Sequence, residues 1–213
     1  MCDGESRFKV MSHFGAGHLH AVGAAKLSSD ACAADRGYGR KFYTADAVQV
    51  ASAALLRAAD GDVTLGAALT DTYVADGLHD LTVVFADAHD GVPSRAVSAE
   101  NVEACVEAHP RGHLLLILPS APAKEAARVI NARARLSYLT WAEAVVPLTQ
   151  CAQVSPVTRL SPQDVRAYEA AHNVEASSLP AIRRDDIVAR WHGWNRGDVV
   201  VQHWPNHCAR HVI

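Results

Sequence analysis

The hydrophobic positions of this chain fall into short blocks whose spacing predicts alternating strands and helices. Leu81–Ala86 and Leu114–Leu118 have the length and composition of strands. The second run has no polar position, which is typical of a strand that helices cover on both faces of a sheet. Ser98–His109 and Ala123–Arg135 predict helices, and we expect a further strand at residues 145–148. This succession indicates an α/β unit.

The buried side of the first of these helices is predicted to carry Val102, Cys105 and Val106. The first eighty residues give weaker signals. Residues 1–44 are rich in Gly, Ala and His with little periodicity, so their structure stays undefined. Ala45–Ala59 predicts a helix, and a turn is expected at residues 87–93. The apolar face of the helix at 45–59 would hold Val48, Ala51, Leu55 and Leu56.

A second, smaller α+β unit is predicted at residues 161–213, after a linker at residues 147–160. Ser161 is placed as the N-cap of its first helix, with Pro162 at the first helical position. Asp164 lies at the positive end of that helix, and Asn173 is expected to end it near His172.

The segment 179–200, LPAIRRDDIVARWHGWNRGDVV, predicts helix, turn and strand in close succession. Pro180 disfavours helical backbone at Leu179, so the chain enters the segment extended. Asp186 can cap a helix through Trp191. The backbone freedom needed for the helix stop and for the turn into the strand 199–201 comes from Gly193 and Gly197. Residues 205–206 then read as a hairpin turn.

The order of residues in this segment resembles the signature of the fifth-largest subunit shared by eukaryotic nuclear DNA-dependent RNA polymerases, a family that includes a shorter archaeal polymerase subunit. In that family a Leu-Pro-x-Ile stretch precedes an Asp that opens a short helix, a Gly and an Arg-Gly-x-Val-Val stretch. The matching positions here are Leu179, Pro180, Ile182, Asp186, Val188, Ala189, Gly193, Arg196, Gly197, Val199 and Val200. The resemblance covers residues 81–213 and is strongest over the last fifty-five.

The resemblance implies an N-terminal α/β jaw domain of nuclease-like architecture over residues 1–146 and a C-terminal assembly domain over 161–213. It further implies a non-catalytic subunit, nuclear or, if encoded by a virus, in a virion or viral factory. The assembly domain would dock on the largest polymerase subunit, and the jaw would meet downstream DNA only within the complex. Partner binding is expected at Leu179, Pro180, Asp186, Ala189, Arg190, Gly193, Arg196 and Gly197.

Two features depart from the family pattern. Ile187 stands where a Pro is usual, and after Val201 the chain continues only as QHWPNHCARHVI, where the family has a longer turn and a final strand of Gly-Arg-Tyr type. Arg210 is the candidate for that Arg. The docking surface is therefore expected to differ from that of other members.

Composition argues against an autonomous nucleic-acid binder and a membrane-spanning chain but indicates no single function. The chain has 213 residues, 49% of them hydrophobic and 20% charged, which is an ordinary globular composition. Residues 1–145 hold 13 basic and 17 acidic residues, and residues 146–213 hold 7 and 6, so neither part has the basic excess of an autonomous nucleic-acid binder. No apolar run reaches the length of a bilayer span, and no CxxC pair occurs among the five cysteines. We expect an intracellular protein with reduced thiols.

The sequence gives little sign of a catalytic or metal site. Restriction-type nucleases need an acid-x-Lys pair, but the residues two places before the four lysines are Arg7, Ala24, Gly39 and Pro122. His203, His207, Cys208 and His211 could ligate zinc, although surface histidines on a hairpin are the favoured interpretation, and no cofactor is expected. Trp191, Trp194 and Trp204 are interpreted as core or interface residues rather than base-stacking residues. A catalytically silent nuclease-fold binding module outside polymerase and a small zinc enzyme remain alternatives.

Overall fold

In a computed structural model the chain divides into two compact units, Met1–Pro147 and Leu148–Ile213. The structure describes residues 16–39, 69–85, 97–118, 120–146, 148, 155–203 and 208–213. The helix predicted at 45–59 and the turn predicted at 87–93 lie outside these residues. The described elements form two four-stranded mixed sheets with helices, which agrees with the predicted mixed class of α/β and α+β.

The first unit places a parallel run of strands beside one antiparallel strand. Its elements are α1 (Ala16–Asp35), β1 (Asp71–Tyr73), β2 (Leu81–Phe85), α2 (Ala99–Ala108), β3 (His113–Leu118), α3 (Lys124–Ala132), β4 (Leu136–Thr140) and α4 (Trp141–Ala144). The sheet order is β1-β2-β3-β4, with β1 antiparallel to β2 and the other neighbours parallel. Helices α2 and α3 connect the parallel strands, which is the connection that parallel pairing requires.

The core of this unit lies on β3, whose residues 114–118 are all buried. Ser98 caps α2 by accepting a hydrogen bond from the Asn101 amide. Val102 is buried in the core cluster, and Cys105 and Val106 pack against that cluster. The predicted strands are therefore confirmed over 81–85 and 114–118, as is the buried side of the helix between them, while Ala86 lies outside the described residues.

The strand predicted at residues 145–148 is wrong. The edge strand is β4, nine residues earlier, and the chain then turns into α4. Thr140 accepts a hydrogen bond from the Glu143 amide, and the Glu143 carboxylate accepts one from the Thr140 amide. This reciprocal capping starts a helix at Trp141 and leaves Val145 at its C-cap. Helix α3 also ends at Ala132, three residues before the predicted end, because Arg133 is extended.

Helix α1 occupies part of the N-terminal region for which the sequence pattern predicts no structure. Eight of the nine residues 25–33 are buried, and the buried set includes Lys26 and Asp30. A stretch such as residues 25–33, buried on every side, lacks the one-sided apolar stripe by which a helix is normally predicted. Its small residues, mostly Ala and Ser, also give little periodic contrast.

The second unit is a small sheet covered by short helices. Its elements are β5 (Val157–Arg159), α5 (Pro162–His172), a 3₁₀ turn (Ala176–Ser178), β6 (Ala181–Ile182), α6 (Ile187–His192), β7 (Val199–Gln202) and β8 (Cys208–Val212). The sheet order is β5-β7-β8-β6. Helix α5 has the predicted ends: Ser161 accepts from the Asp164 amide, and Asn173 adopts left-handed backbone with φ 51°. Strand β5 lies inside the predicted linker, so part of that linker belongs to the sheet.

Strands β7 and β8 form the expected antiparallel pair, with Val199 opposite His211 and Gln202 opposite Cys208. The residues predicted as their hairpin turn lie outside the described part of the chain. The core of the unit is a cluster of Ala189, Trp194, Val200 and Val212. Among the helices that the structure describes, none is both long enough and apolar enough to cross a membrane.

Candidate partner-binding site

The segment 179–200 enters the second unit along the edge of its sheet. Leu179 is extended, with φ −67° and ψ 152°, as Pro180 requires. Strand β6 follows and pairs in parallel with β8, placing Ala181 beside His211. The Arg184 amide donates to the Ile213 carbonyl at 2.9 Å, which continues the contact with the end of β8.

A tight turn then leads into α6. The Arg183 guanidinium donates two hydrogen bonds to the Asp185 carboxylate, at 2.8 and 2.6 Å, and these hydrogen bonds lower the pKa of Asp185. The Asp186 carboxylate accepts from the Val188 amide at 2.8 Å, so Asp186 is the N-cap that the sequence predicts. Gly193 ends the helix in left-handed backbone with φ 67°.

The arginines of the segment differ in their surroundings. Arg190 is 8% exposed, and its Nε donates to the Asp185 carbonyl at 2.9 Å, which ties the helix to the preceding turn. Arg184 is also buried, and burial, followed by the nearby positive charge of Arg196, lowers its pKa. Arg196 itself is exposed. Of these three, Arg196 is therefore the one placed to meet a partner without rearrangement.

Gly197 completes the turn into β7. It adopts φ +91°, a conformation that residues with a Cβ rarely take, and its amide donates to the Val212 carbonyl at 3.0 Å. The Asp198 carboxylate accepts from the Asn195 amide at 2.8 Å and lies 3.3 Å from Arg159 on β5. The turn is thus held to β5 and β8.

The residues expected to bind a partner divide between surface and interior. Ala189 and Arg190 are buried and hold α6 in place. Leu179 and Gly193 are half-buried, whereas the exposed members of the set are Pro180, Asp186, Arg196 and Gly197. All eight lie within the sequence segment 179–200, and the structure divides them between its surface and its interior. A partner contact on this conformation would rest mainly on the exposed four.

The tryptophans of the segment belong to its interior. Trp191 is fully buried and Trp194 is 5% exposed. The His192 ring stacks on the Trp194 ring, with centroids 4.9 Å apart and planes 8° apart. Of the two predicted roles, core or interface, the burial of these two residues supports the core role. Trp204 lies outside the described residues.

A pocket beside this segment is a feature that the sequence did not predict. Its cavity of about 250 Å³ lies between one face of the sheet and the start of α6. The residues around it are Ser155, Val157, Ile182, Asp186, Val188, Trp194, Val200, Gln202 and Arg210. Because Arg210 is opposite Val200 and Val157 is opposite Gln202, these four side chains share one face of the sheet. Strand β7 reads VVVQ and has no apolar/polar alternation, so the sequence carries no signal for this face or for the opening above it.

The histidine-rich end of the chain is only partly described. His203 Nε2 lies 2.8 Å from the Thr158 hydroxyl, and His211 is half-buried on β8. Within the described ranges no three His, Cys, Asp or Glu side chains come together in a way that could hold a metal ion. His207 lies outside these ranges, so the four-residue cluster is not represented as a whole.

No protein-family model matches the chain, and no curated protein matches it either.

Proposed function

We propose that this protein is a non-catalytic assembly subunit of a multi-subunit DNA-dependent RNA polymerase. In this proposal the second unit docks on the largest polymerase subunit, and the first unit contributes to the region around downstream DNA. The complex works in the nucleus, or in a virion or viral factory if a virus encodes the chain. The protein supplies shape and contacts and carries out no bond chemistry.

The observation that carries the proposal is the agreement between the ordered signature and the local conformations of residues 179–200. Pro180, which favours the extended backbone of Leu179, the capping Asp186 and the left-handed Gly197 each suit their position for a physical reason. A small α+β unit can use each device separately, but their order within one segment supports membership of the polymerase family.

The charge of the exposed segment indicates the charge of the partner surface. Arg196 is exposed, and it lies close enough to the buried Arg184 for its positive charge to lower the pKa of Arg184. Two neighbouring guanidinium groups favour an acidic partner surface, because opposite charges across an interface promote association and correct register. We therefore assign the main electrostatic contact of docking to Arg196.

The test is recovery of partners on a tagged chain, with Arg196→Glu compared against Arg166→Glu. Arg166 is an exposed arginine on α5 of the same unit, so both variants make the same change of charge. We expect the wild-type chain and Arg166→Glu to recover the largest polymerase subunit and Arg196→Glu to lose it. Both variants should keep the melting temperature within the scatter of ordinary surface substitutions.

Two results would contradict this proposal. A wild-type chain that recovers no polymerase subunit would point to a binding module working outside polymerase. Retained recovery by Arg196→Glu, or its unfolding, would show that the assignment of Arg196 to the interface is wrong.

A further inference from the structure

The pocket beside α6 is smaller than the usual site for a small molecule or cofactor. Its volume of about 250 Å³ falls below the range of roughly 300–1,000 Å³ that is usual for small-molecule and cofactor sites. Val157, Ile182 and Val188 contribute an apolar lining, and Trp194 adds an aromatic surface. An aliphatic side chain from another polypeptide would bury its surface here as an anchor residue does in an interface pocket.

Arg210 makes the pocket favour a negatively charged ligand group. Its Nε is buried and has no hydrogen-bond partner among the described residues. A guanidinium group has five N–H donors and no acceptor, so the part of Arg210 that borders the cavity can bind only an acceptor. A carboxylate is the matching group, because its two oxygens can accept two parallel hydrogen bonds from an arginine.

We propose that this pocket binds an acidic peptide segment of a partner protein, with an aliphatic side chain in the cavity and the neighbouring Asp or Glu carboxylate on Arg210. The identity of that partner as the largest polymerase subunit rests on the function proposed above. The pocket and the exposed Arg196 would then make two acid-binding contacts with the same partner.

The lining favours a peptide carboxylate over a phosphate or a nucleic acid. Asp186 also borders the pocket, and its negative charge opposes any anion there, a doubly charged phosphate more strongly than a singly charged carboxylate. Nucleic-acid binding sites instead gather several cations along a groove. A peptide also offers backbone N–H groups from which the exposed Asp186 carboxylate can accept, whereas a phosphate offers no donor once it is fully ionised.

The test begins with random peptides displayed on phage and selected on the full chain. We expect the selected peptides to share an aliphatic residue beside an Asp or Glu. Synthetic copies are then titrated against the wild type, Arg210→Met and Arg210→Lys. Arg210→Met should weaken binding about tenfold or more, which is the usual contribution of a hydrogen bond to a charged group. Arg210→Lys should be intermediate, because lysine keeps the charge and loses the planar pair of donors.

A double-mutant cycle tests whether Arg210 contacts the peptide carboxylate directly. Replacing the peptide acid by its amide should weaken binding to the wild type by the same factor and have little further effect on Arg210→Met. The amide substitution is made on the peptide, so it gives an answer even if Arg210→Met destabilises the unit. Arg166→Met is the matched control and should bind the peptides as the wild type does.

Several results would overturn the inference. These are the absence of any selected peptide family, a family without an acid, and unchanged binding by Arg210→Met. The inference and the proposed function fail separately. Polymerase recovered equally by the wild type and Arg210→Met would leave the function standing and remove the pocket contact. If the double-mutant cycle shows coupling between Arg210 and the peptide acid but no polymerase subunit is recovered, the pocket contact stands and the proposed function is removed.

Discussion

Lys26 on α1 forms an ion pair with Asp71 at the start of β1, with Nζ 2.5 Å from Oδ2 and the lysine side chain 3% exposed. Nζ also donates to the carbonyl of Leu69 and lies 5.4 Å from the centroid of the Phe85 ring. These contacts compensate for the loss of water around a buried ammonium group. The pair therefore joins the buried helix to the antiparallel edge of the sheet.

Lys26→Met should destabilise the first unit by about 3 kcal/mol, because it leaves the Asp71 carboxylate, itself 23% exposed, without its cation. Urea unfolding followed by circular dichroism measures the loss. The double variant Lys26→Met with Asp71→Asn should recover part of the stability, since no uncompensated charge then remains in this pair.

Lys124→Met is the control for this experiment. Lys124 is an exposed lysine at the start of α3, and its replacement should change the free energy of unfolding by less than about 0.5 kcal/mol. A loss for Lys26→Met as small as that of the control would mean that the ion pair does not hold α1 to the sheet.

The thiol of Cys32 should make the first unit less stable in alkali. Burial is the main cause that raises the pKa of Cys32 above its ordinary 9.0, and Arg36 partly opposes it. The folded state therefore holds this proton more tightly than the unfolded state. The contribution to stability is complete below about pH 9 and is lost as the pH rises through the folded pKa, at up to about 1.4 kcal/mol per pH unit.

The measurement is urea unfolding between about pH 8 and about pH 10.5. Cys32→Ala should show a flatter fall of the unfolding free energy than the wild type, whatever its stability at neutral pH. Cys105→Ala, which removes a half-buried thiol of the same unit, should keep the wild-type slope. Equal slopes for Cys32→Ala and the wild type would contradict the assignment of the alkaline loss to Cys32.

Two glycines with positive φ should respond differently to alanine. At Gly197, with φ +91°, an added Cβ meets no atom within 4 Å, so Gly197→Ala should cost only backbone strain of about 1–2 kcal/mol. At Gly112, with φ +79°, the Cβ would lie 2.3 Å from the Asp80 carbonyl oxygen. Gly112→Ala should therefore cost about 3 kcal/mol or more, and thermal and urea unfolding of both variants would test the order. Similar costs at the two positions would show that the close approach to Asp80 relaxes easily.

The isolated chain should bind duplex DNA only weakly. Its residues 1–145 carry a formal charge of −4, from 13 basic and 17 acidic residues, so they can release few counterions from DNA. Fluorescence anisotropy at physiological salt should give a dissociation constant of roughly tens of micromolar or weaker. Sub-micromolar binding would contradict the proposal that the first unit meets DNA only within a complex.

The helix ends of the second unit could be predicted closely because the residues that set them act locally. Ser161, Asn173 and Asp186 act on amides or dihedral angles within a few residues of themselves, so the sequence alone indicates where helices begin and end. The same holds for the apolar strand β3, whose composition requires burial on both faces.

The features that escaped prediction depend on distant residues. The burial of Lys26 needs Leu69 and Asp71, more than forty positions away. The pocket needs β5, β7 and β8 side by side, which no single periodicity indicates. The misplaced strand at 145–148 is a different case, since the Thr140 to Glu143 spacing is a local capping signal that was present in the sequence and overlooked.

The position of β8 in its sheet constrains how the second unit can be made on the ribosome. This strand is the last element in chain order, yet it lies between β7 and β6. Among the described strands β6 pairs only with β8, so Ala181 cannot pair until His211 is available. The sheet of the unit therefore closes only after residues 208–212 have left the exit tunnel, and a nascent chain stalled before them exposes the apolar face that Val212 covers in the finished protein.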